Sequence, residues 1–173
     1  MLRTRAVVGS LVFFCAAPGV VAGLGPWWIS DWEVETPFAY YQPVRVLGAL
    51  MLVVAVAFLL QSFVRFVVEG LGTPAPVAPT EHLVIGGPYR YVRNPMYVAV
   101  VTAILGQALI FGQAALLWYG LAIALIQAAF VRFYEEPGLR RRYGAAYDTY
   151  RAAVPAWIPR LRPWQQGASS PQA

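Results

Sequence analysis

Apolar residues fall into four uncharged blocks, residues 6–24, 46–64, 97–111 and 114–131, and the charged residues lie between and around them. A helix needs roughly 20 residues, within a range of about 17–25, to cross a bilayer. The first, second and fourth blocks meet that length. The third meets it only if Arg93-Asn94-Pro95-Met96 sits partly in the interface. Gly112-Gln113 separates the third block from the fourth and predicts a tight turn, so these two form a helical hairpin. Beyond the fourth block the pattern changes. Pro137 suits the first turn of a new helix, and Leu139, Tyr143, Ala146, Tyr147 and Tyr150 recur at helical spacing. They predict one basic, amphipathic helix lying along the membrane, ended by the Val154-Pro-Ala-Trp-Ile-Pro159 segment. The pattern as a whole predicts an all-α polytopic membrane protein with about four transmembrane helices and a cytoplasmic amphipathic C-terminal helix.

The segments between the blocks are short on regular structure. Residues 70–79 are rich in proline and glycine and predict an extended connector. Residues 82–85 form a short apolar run, suited to a strand or a re-entrant piece. Residues 165–173 predict a disordered tail, and no internal repeat is present. The chain thus divides into a pair of transmembrane helices (1–69), a core of loop, hairpin and amphipathic helix (70–164), and the tail (165–173).

Composition agrees with the membrane reading. Of 173 residues, 59% are hydrophobic and only 12% charged, too apolar for an ordinary soluble domain. The basic residues outnumber the acidic, 13 to 8, and all are arginine. No nucleic-acid module accompanies them, so attraction to lipid headgroups explains them and nucleic acid is not an expected partner. Cys15 is the single cysteine and lies in an apolar block; neither an internal disulfide nor a cysteine metal site is available, and no metal is expected. Arg3 and Arg5 precede the first block. The following loop carries Asp31, Glu33 and Glu35, while Arg90, Arg93 and the arginines from Arg132 to Arg162 flank the other ends. Basic residues mark the cytoplasmic side, which places both termini and the 70–96 loop in the cytoplasm, in an inner or plasma membrane. Arg45 departs from this pattern unless it snorkels. One alternative stays open at the start: Met-Leu-Arg-Thr-Arg, an apolar run and Val20-Val21-Ala22 also read as a signal peptide, against which stand the length of the run and the interfacial pair Trp27-Trp28.

Candidate chemistry gathers at one boundary. Gly87-Pro-Tyr-Arg-Tyr-Val-Arg-Asn-Pro-Met-Tyr97 orders tyrosines, arginines and a proline at the entry to the third block. Arg93 and Asn94 offer donors, and Tyr89, Tyr91 and Tyr97 offer ring faces that attract cations, onium ligands included. One tyrosine or arginine here is an interfacial anchor; the ordered set reads as a small-molecule site. Arg132 and Glu136 stand one helical turn apart at the end of the fourth block, on one predicted face. Exposed, they make a weak ion pair. Near a bilayer, ionisable groups are functional candidates, Glu136 for an ammonium group and Arg132 for an anionic or carbonyl-bearing substrate. His82 is the single histidine, and a lone one is more often a loop residue than a base. Arg65 and Glu69 read as a helix-end bridge. No P-loop, dinucleotide fingerprint or nucleophile elbow appears.

These residues resemble the isoprenylcysteine carboxyl methyltransferase and phospholipid methyltransferase family of integral membrane enzymes. The resemblance rests on Leu83-Val84, Gly87-Pro88-Tyr89 and Arg93-Asn94-Pro95-Met96-Tyr97. It continues with Arg132, Glu135-Glu136-Pro-Gly-Leu139, Tyr143-Gly144, Tyr147, Tyr150 and Val154-Pro155, and covers roughly residues 81–160. It implies S-adenosylmethionine as methyl donor, bound at the cytoplasmic face. Glu81, His82, Leu83, Val84, Tyr89, Asn94, Pro95, Met96 and Tyr97 would line the cofactor site, Glu136 would hold the cofactor's amino group, and Arg132 would face the substrate. The pair Arg132 and Glu136 would be the catalytic residues. The family's histidine is Asn94 here, which keeps a donor and an acceptor but cannot titrate.

The expected function is methyl transfer to an amphiphilic or lipid-like substrate drawn from the membrane lipid. With no base visible for an amine, the residues lean toward a carboxylate or similar acceptor. The alternative is a non-catalytic lipid-binding or scaffolding protein whose pocket has degenerated at Asn94.

Overall fold

The computed structural model describes residues 17–70 and 83–165. Among these residues every regular element is helical. The predicted connector at 70–79, the tail beyond 165, Cys15, His82 and most of the first apolar block lie outside the described residues.

A π-helical turn at Val20–Leu24 leads into the short helix α1 (Gly25–Ser30). The long helix α2 (Gln42–Gly70) follows, then α3 (Pro95–Phe111) and α4 (Ala114–Phe130). The helical course continues through a second π turn, Val131–Glu135, into α5 (Glu136–Tyr143) and α6 (Ala145–Ala153). Two stretches are long and apolar enough to cross a membrane, Gln42–Arg65 and Ala114–Tyr143, and Pro95–Phe111 is a shorter apolar helix. The outward faces of α2 and α4 remain apolar: Val53, Val54, Leu125 and Ile126 are all more than 60% exposed, as expected of surfaces that meet lipid.

The predicted hairpin is present. Gly112 adopts φ +73° and caps α3, its N–H donating to the Ala108 carbonyl. A Cβ there would lie 2.5 Å from the Glu35 carbonyl oxygen, so a glycine is required twice, for the left-handed turn and for the close approach. Arg45 finds its place at the same end. Its guanidinium donates to the carbonyls of Ile110 and Glu35, at 3.2 and 3.0 Å. It thus offsets carbonyl charge at the negative end of α3, which accounts for an arginine at that end of the helices. α2 and α3 pack most closely at Gly48 and Gly106, where a Cβ on either would lie within 2.8 Å of the other's carbonyl oxygen. Two carbonyls of the π turn at Val20–Leu24 take side-chain donors. Tyr119 donates to that of Val21 at 2.9 Å and Gln107 to that of Ala22 at 2.7 Å, which answers the demand that apolar surroundings place on backbone polar groups.

The C-terminal region differs from the single helix expected. Gly144, at φ +52° and ψ −129°, breaks it into α5 and α6, because only glycine tolerates that backbone conformation. The apolar face of α6 is also spent differently. Tyr147, Tyr150 and Val154 are buried against Leu83, Ile85, Leu139 and Trp164, so the helix is amphipathic toward the protein. Leu83 to Ile85 are irregular rather than a strand.

Candidate active site

The loop before α3 is shaped by two prolines and a glycine. Gly87, at φ +53°, opens a 3-10 turn with Pro88 in its second position. A Cβ on Gly87 would lie 2.8 Å from the Arg65 side chain. Asn94 precedes Pro95 and is excluded from helical geometry; its φ and ψ are −116° and 57°, and Pro95 starts α3. Between these fixed points, residues 90–94 run beside the segment that leaves α6. Arg93 N–H donates to the Pro155 carbonyl (2.9 Å), Arg160 N–H to Tyr91 (3.0 Å) and Trp164 N–H to Arg90 (2.9 Å). Side chains reinforce the pairing. Asn94 Nδ2 donates to the Ala156 carbonyl at 3.1 Å, Arg90 Nε to Trp164 at 2.7 Å, and the Tyr150 hydroxyl to the Tyr89 carbonyl at 2.7 Å.

The Arg93 guanidinium is the hub. Its Nε donates to the Val154 carbonyl at 2.9 Å. Its Nη1 reaches Glu136 Oε1 at 2.6 Å and the Tyr147 hydroxyl at 3.1 Å. Arg151 approaches the other Glu136 oxygen at 3.4 Å. Glu136 is only 6% exposed, so this carboxylate is buried between two cations. Burial foremost, then the Glu136 charge, raises the Tyr147 phenol above its usual range; burial raises that of Tyr150 too. Both phenols therefore stay protonated; that of Tyr147 accepts from Arg93, and that of Tyr150 donates to the Tyr89 carbonyl.

One residue earlier, Glu135 faces a different environment. The π turn Val131–Glu135 widens the helix, a feature often found at functional sites, and changes which faces successive residues occupy. Glu135 accepts from the Tyr97 hydroxyl at 3.0 Å. Arg132 is exposed while Glu136 is buried, so the face that regular spacing assigned to both is not shared.

Tyr97 and Glu135 close one wall of a cavity of about 240 Å³. Of the residues expected around a cofactor, Tyr89, Asn94, Pro95, Met96 and Tyr97 line it. Val84 is buried away from it and Leu83 packs on the tyrosines of α6. Glu81 and His82 lie outside the described residues. Neither Arg132 nor Glu136 reaches the lining; Glu136 is joined to it through Arg93, which does. Ala17, Pro18, Val21, Val100, Gln127 and Glu135 complete the wall and were not expected there. Two of them carried a signal. Gln127 is the one amide side chain in the 114–131 block, and a polar group in an apolar span is a functional candidate. Glu135 is the immediate neighbour of Glu136, the carboxylate the sequence singles out. Gln127 Oε1 is buried with no hydrogen-bond partner among the described residues.

An apolar helical bundle with a cavity at one end of its hairpin, mostly apolar but with Glu135, Gln127 and Asn94 in its wall, is a candidate small-molecule site, and the sequence comparisons give the family. The profile of the phospholipid methyltransferase family matches residues 43–146, and the chain belongs to that family. The match takes in α2, which the motifs alone had left out. A phosphatidylethanolamine N-methyltransferase of Phaeosphaeria nodorum is 29% identical over 97 residues, 52% of this chain and 10% of that protein. The chain thus spans about a tenth of the length of the curated relative it matches. No solved structure matches.

Proposed function

We propose that this protein is an S-adenosylmethionine-dependent methyltransferase acting on an amphiphilic, lipid-like substrate at the cytoplasmic membrane face. Membership of the phospholipid methyltransferase family supports methyl transfer and a membrane setting. Arg90, Arg93, Arg140, Arg141, Arg142 and Arg151 all lie in the loop before α3 or in α5 and α6, and their clustering favours the cytoplasm for this end.

The cavity residues suit the cofactor in kind. In a mostly apolar wall that also holds the Arg93 guanidinium, the Glu135 carboxylate, the unpartnered Gln127 oxygen and the Tyr89 and Tyr97 rings are the groups that attract a positively charged ligand. Tyr89, Asn94, Met96 and Tyr97 would hold it. When bound, S-adenosylmethionine supplies a methyl group already activated by its sulfonium. The protein's own part is positioning and exclusion of water, the latter from Val21, Pro95 and Val100.

The observation that carries the choice of acceptor is the Tyr97–Glu135 pair. Sequence reading found no base for an amine. Glu135 is one: it lines the cavity, and no guanidinium bonds to it among the described residues. It would take the proton that a lipid ammonium must lose before its nitrogen can accept a methyl group, while Tyr97 orients the carboxylate. A carboxylate acceptor would meet repulsion from Glu135, and Arg132, expected to hold one, lies outside the lining. The name of the fungal relative points to the same class of acceptor. The test is transfer of radiolabelled methyl from S-adenosylmethionine into membrane extracts. Label in an amine-bearing lipid is expected. Label that appears only in base-labile methyl esters would overturn the amine reading, and cofactor binding without any transfer would overturn the activity.

A further inference from the structure

The segment that leaves α6 carries the least buried apolar side chains of the C-terminal region. Ile158 is 78% exposed and Leu161 is 99% exposed, with Trp157 at 37%. They do not sit on a loose loop. Arg160 N–H and Trp164 N–H donate to the carbonyls of Tyr91 and Arg90, and Arg160 Nη1 donates to the Ala153 carbonyl at 2.9 Å. These bonds fix the backbone at Arg160 and Trp164, on either side of Leu161, with Arg160 two residues past Ile158. Pro159, between them, lines an apolar groove with Val54 and Phe58 of α2 and Val98 of α3, and Val54 belongs to the outward apolar face of α2. The exposed pair is therefore continuous with the surface that meets lipid, at the level where α3 begins. Arg162 is exposed beside Leu161, an arrangement suited to an apolar side chain in the acyl boundary and a guanidinium among the headgroup phosphates. α6 exposes Asp148 and Thr149 and spends its apolar face inside the protein, so it is not the surface anchor.

We propose that residues 157–162 are an interfacial anchor, with Ile158 and Leu161 inserted into the phospholipid bilayer that surrounds the chain. The partner is the lipid surface itself. Because the segment is bonded to residues 90–94, and Arg93 and Asn94 line the cavity, the bilayer holds the rim of the site through it. The inference does not depend on methyl transfer.

Spin labels on single cysteines replacing Ile158, Leu161, Thr149 and Val53, in the full chain carrying Cys15→Ala, test it in nanodiscs of equal parts phosphatidylcholine and phosphatidylglycerol. The ratio of oxygen to water-soluble nickel-complex collisions should be several-fold higher at 158 and 161 than at 149, and should approach that at the lipid-facing position 53. A ratio at 158 and 161 no higher than at 149 would overturn the proposal. A second measurement leaves the two positions unlabelled. Leu161→Glu should speed amide hydrogen exchange several-fold at Arg160 and Trp164 while leaving α3 unchanged; unaltered exchange at both amides would also overturn it.

Discussion

Glu136 lies between two guanidinium groups, 2.6 Å from Arg93 and 3.4 Å from Arg151, whereas Glu135, its neighbour in sequence, is bonded to a phenol, 3.0 Å from Tyr97. The first carboxylate ties α5, α6 and the loop before α3 together. Each of its oxygens has a guanidinium partner. The second faces a cavity with no bonded cation among the described residues. A buried charge is tolerated when paired, and a charge left available at a cavity wall is where chemistry is expected. The difference teaches that two neighbouring carboxylates on one helical course can differ in surroundings, Glu136 bonded to two cations and Glu135 to a phenol at a cavity wall, and the proposed chemistry falls to the second.

The comparison can be broken by substitution. Glu135→Gln keeps the shape and removes the base. Methyl transfer should fall by about 10²–10⁴-fold with the thermal midpoint in detergent unchanged; radiolabel transfer alongside a melting curve measures both, and full activity in the variant would defeat the proposed role. Glu136→Ala should do the reverse in kind. It leaves Arg93 buried without its partner, a loss of about 3–5 kcal/mol visible as a lower unfolding midpoint. If the variant melts normally and only cofactor affinity falls in a calorimetric titration, Glu136 belongs to the ligand and the contrast fails.

Smaller changes sharpen the same contrast. Tyr97→Phe removes one hydrogen bond to a charged group, worth about 1.5–3 kcal/mol. The turnover rate should drop more than tenfold while the fold persists, as circular dichroism and activity measured on one preparation would report. Asp148→Ala provides the smallest effect. Its bridge to Arg140 spans the Gly144 break at 2.7 Å but both side chains are about half exposed, so its removal should change stability by less than about 1 kcal/mol. A shift comparable to that of Glu136→Ala would mean that exposure does not separate the two ion pairs.

Much of this arrangement was legible beforehand. The uncharged blocks located α2, α3 and α4, and Gly112 located the turn of the hairpin. The tyrosine-rich loop was singled out by residue type, and five of its expected members line the cavity. Nothing in the sequence separates Glu135 from Glu136: regular helical spacing and the family resemblance both point to Glu136, the stretch is π-helical, and no local propensity announces a π turn. Ala17, Pro18 and Val21 were invisible because apolar residues from a distant helix leave no mark of their function in sequence. The pairing of residues 90–94 with 154–164 went unseen because backbone hydrogen bonds have no side-chain signature.

The sequence by itself determined that the chain is helical, belongs against lipid and carries a polar cluster at one end of a hairpin, since hydrophobic blocks, glycine turns and proline caps act locally. Only the tertiary structure decided which carboxylate is paired and which faces the cavity, and that the amphipathic helix turns its apolar face inward. Those choices depend on neighbours more than forty residues away, Arg93 for Glu136 and Leu83 for Tyr147, and burial beside a distant partner is a property of the packed chain that no window of sequence contains.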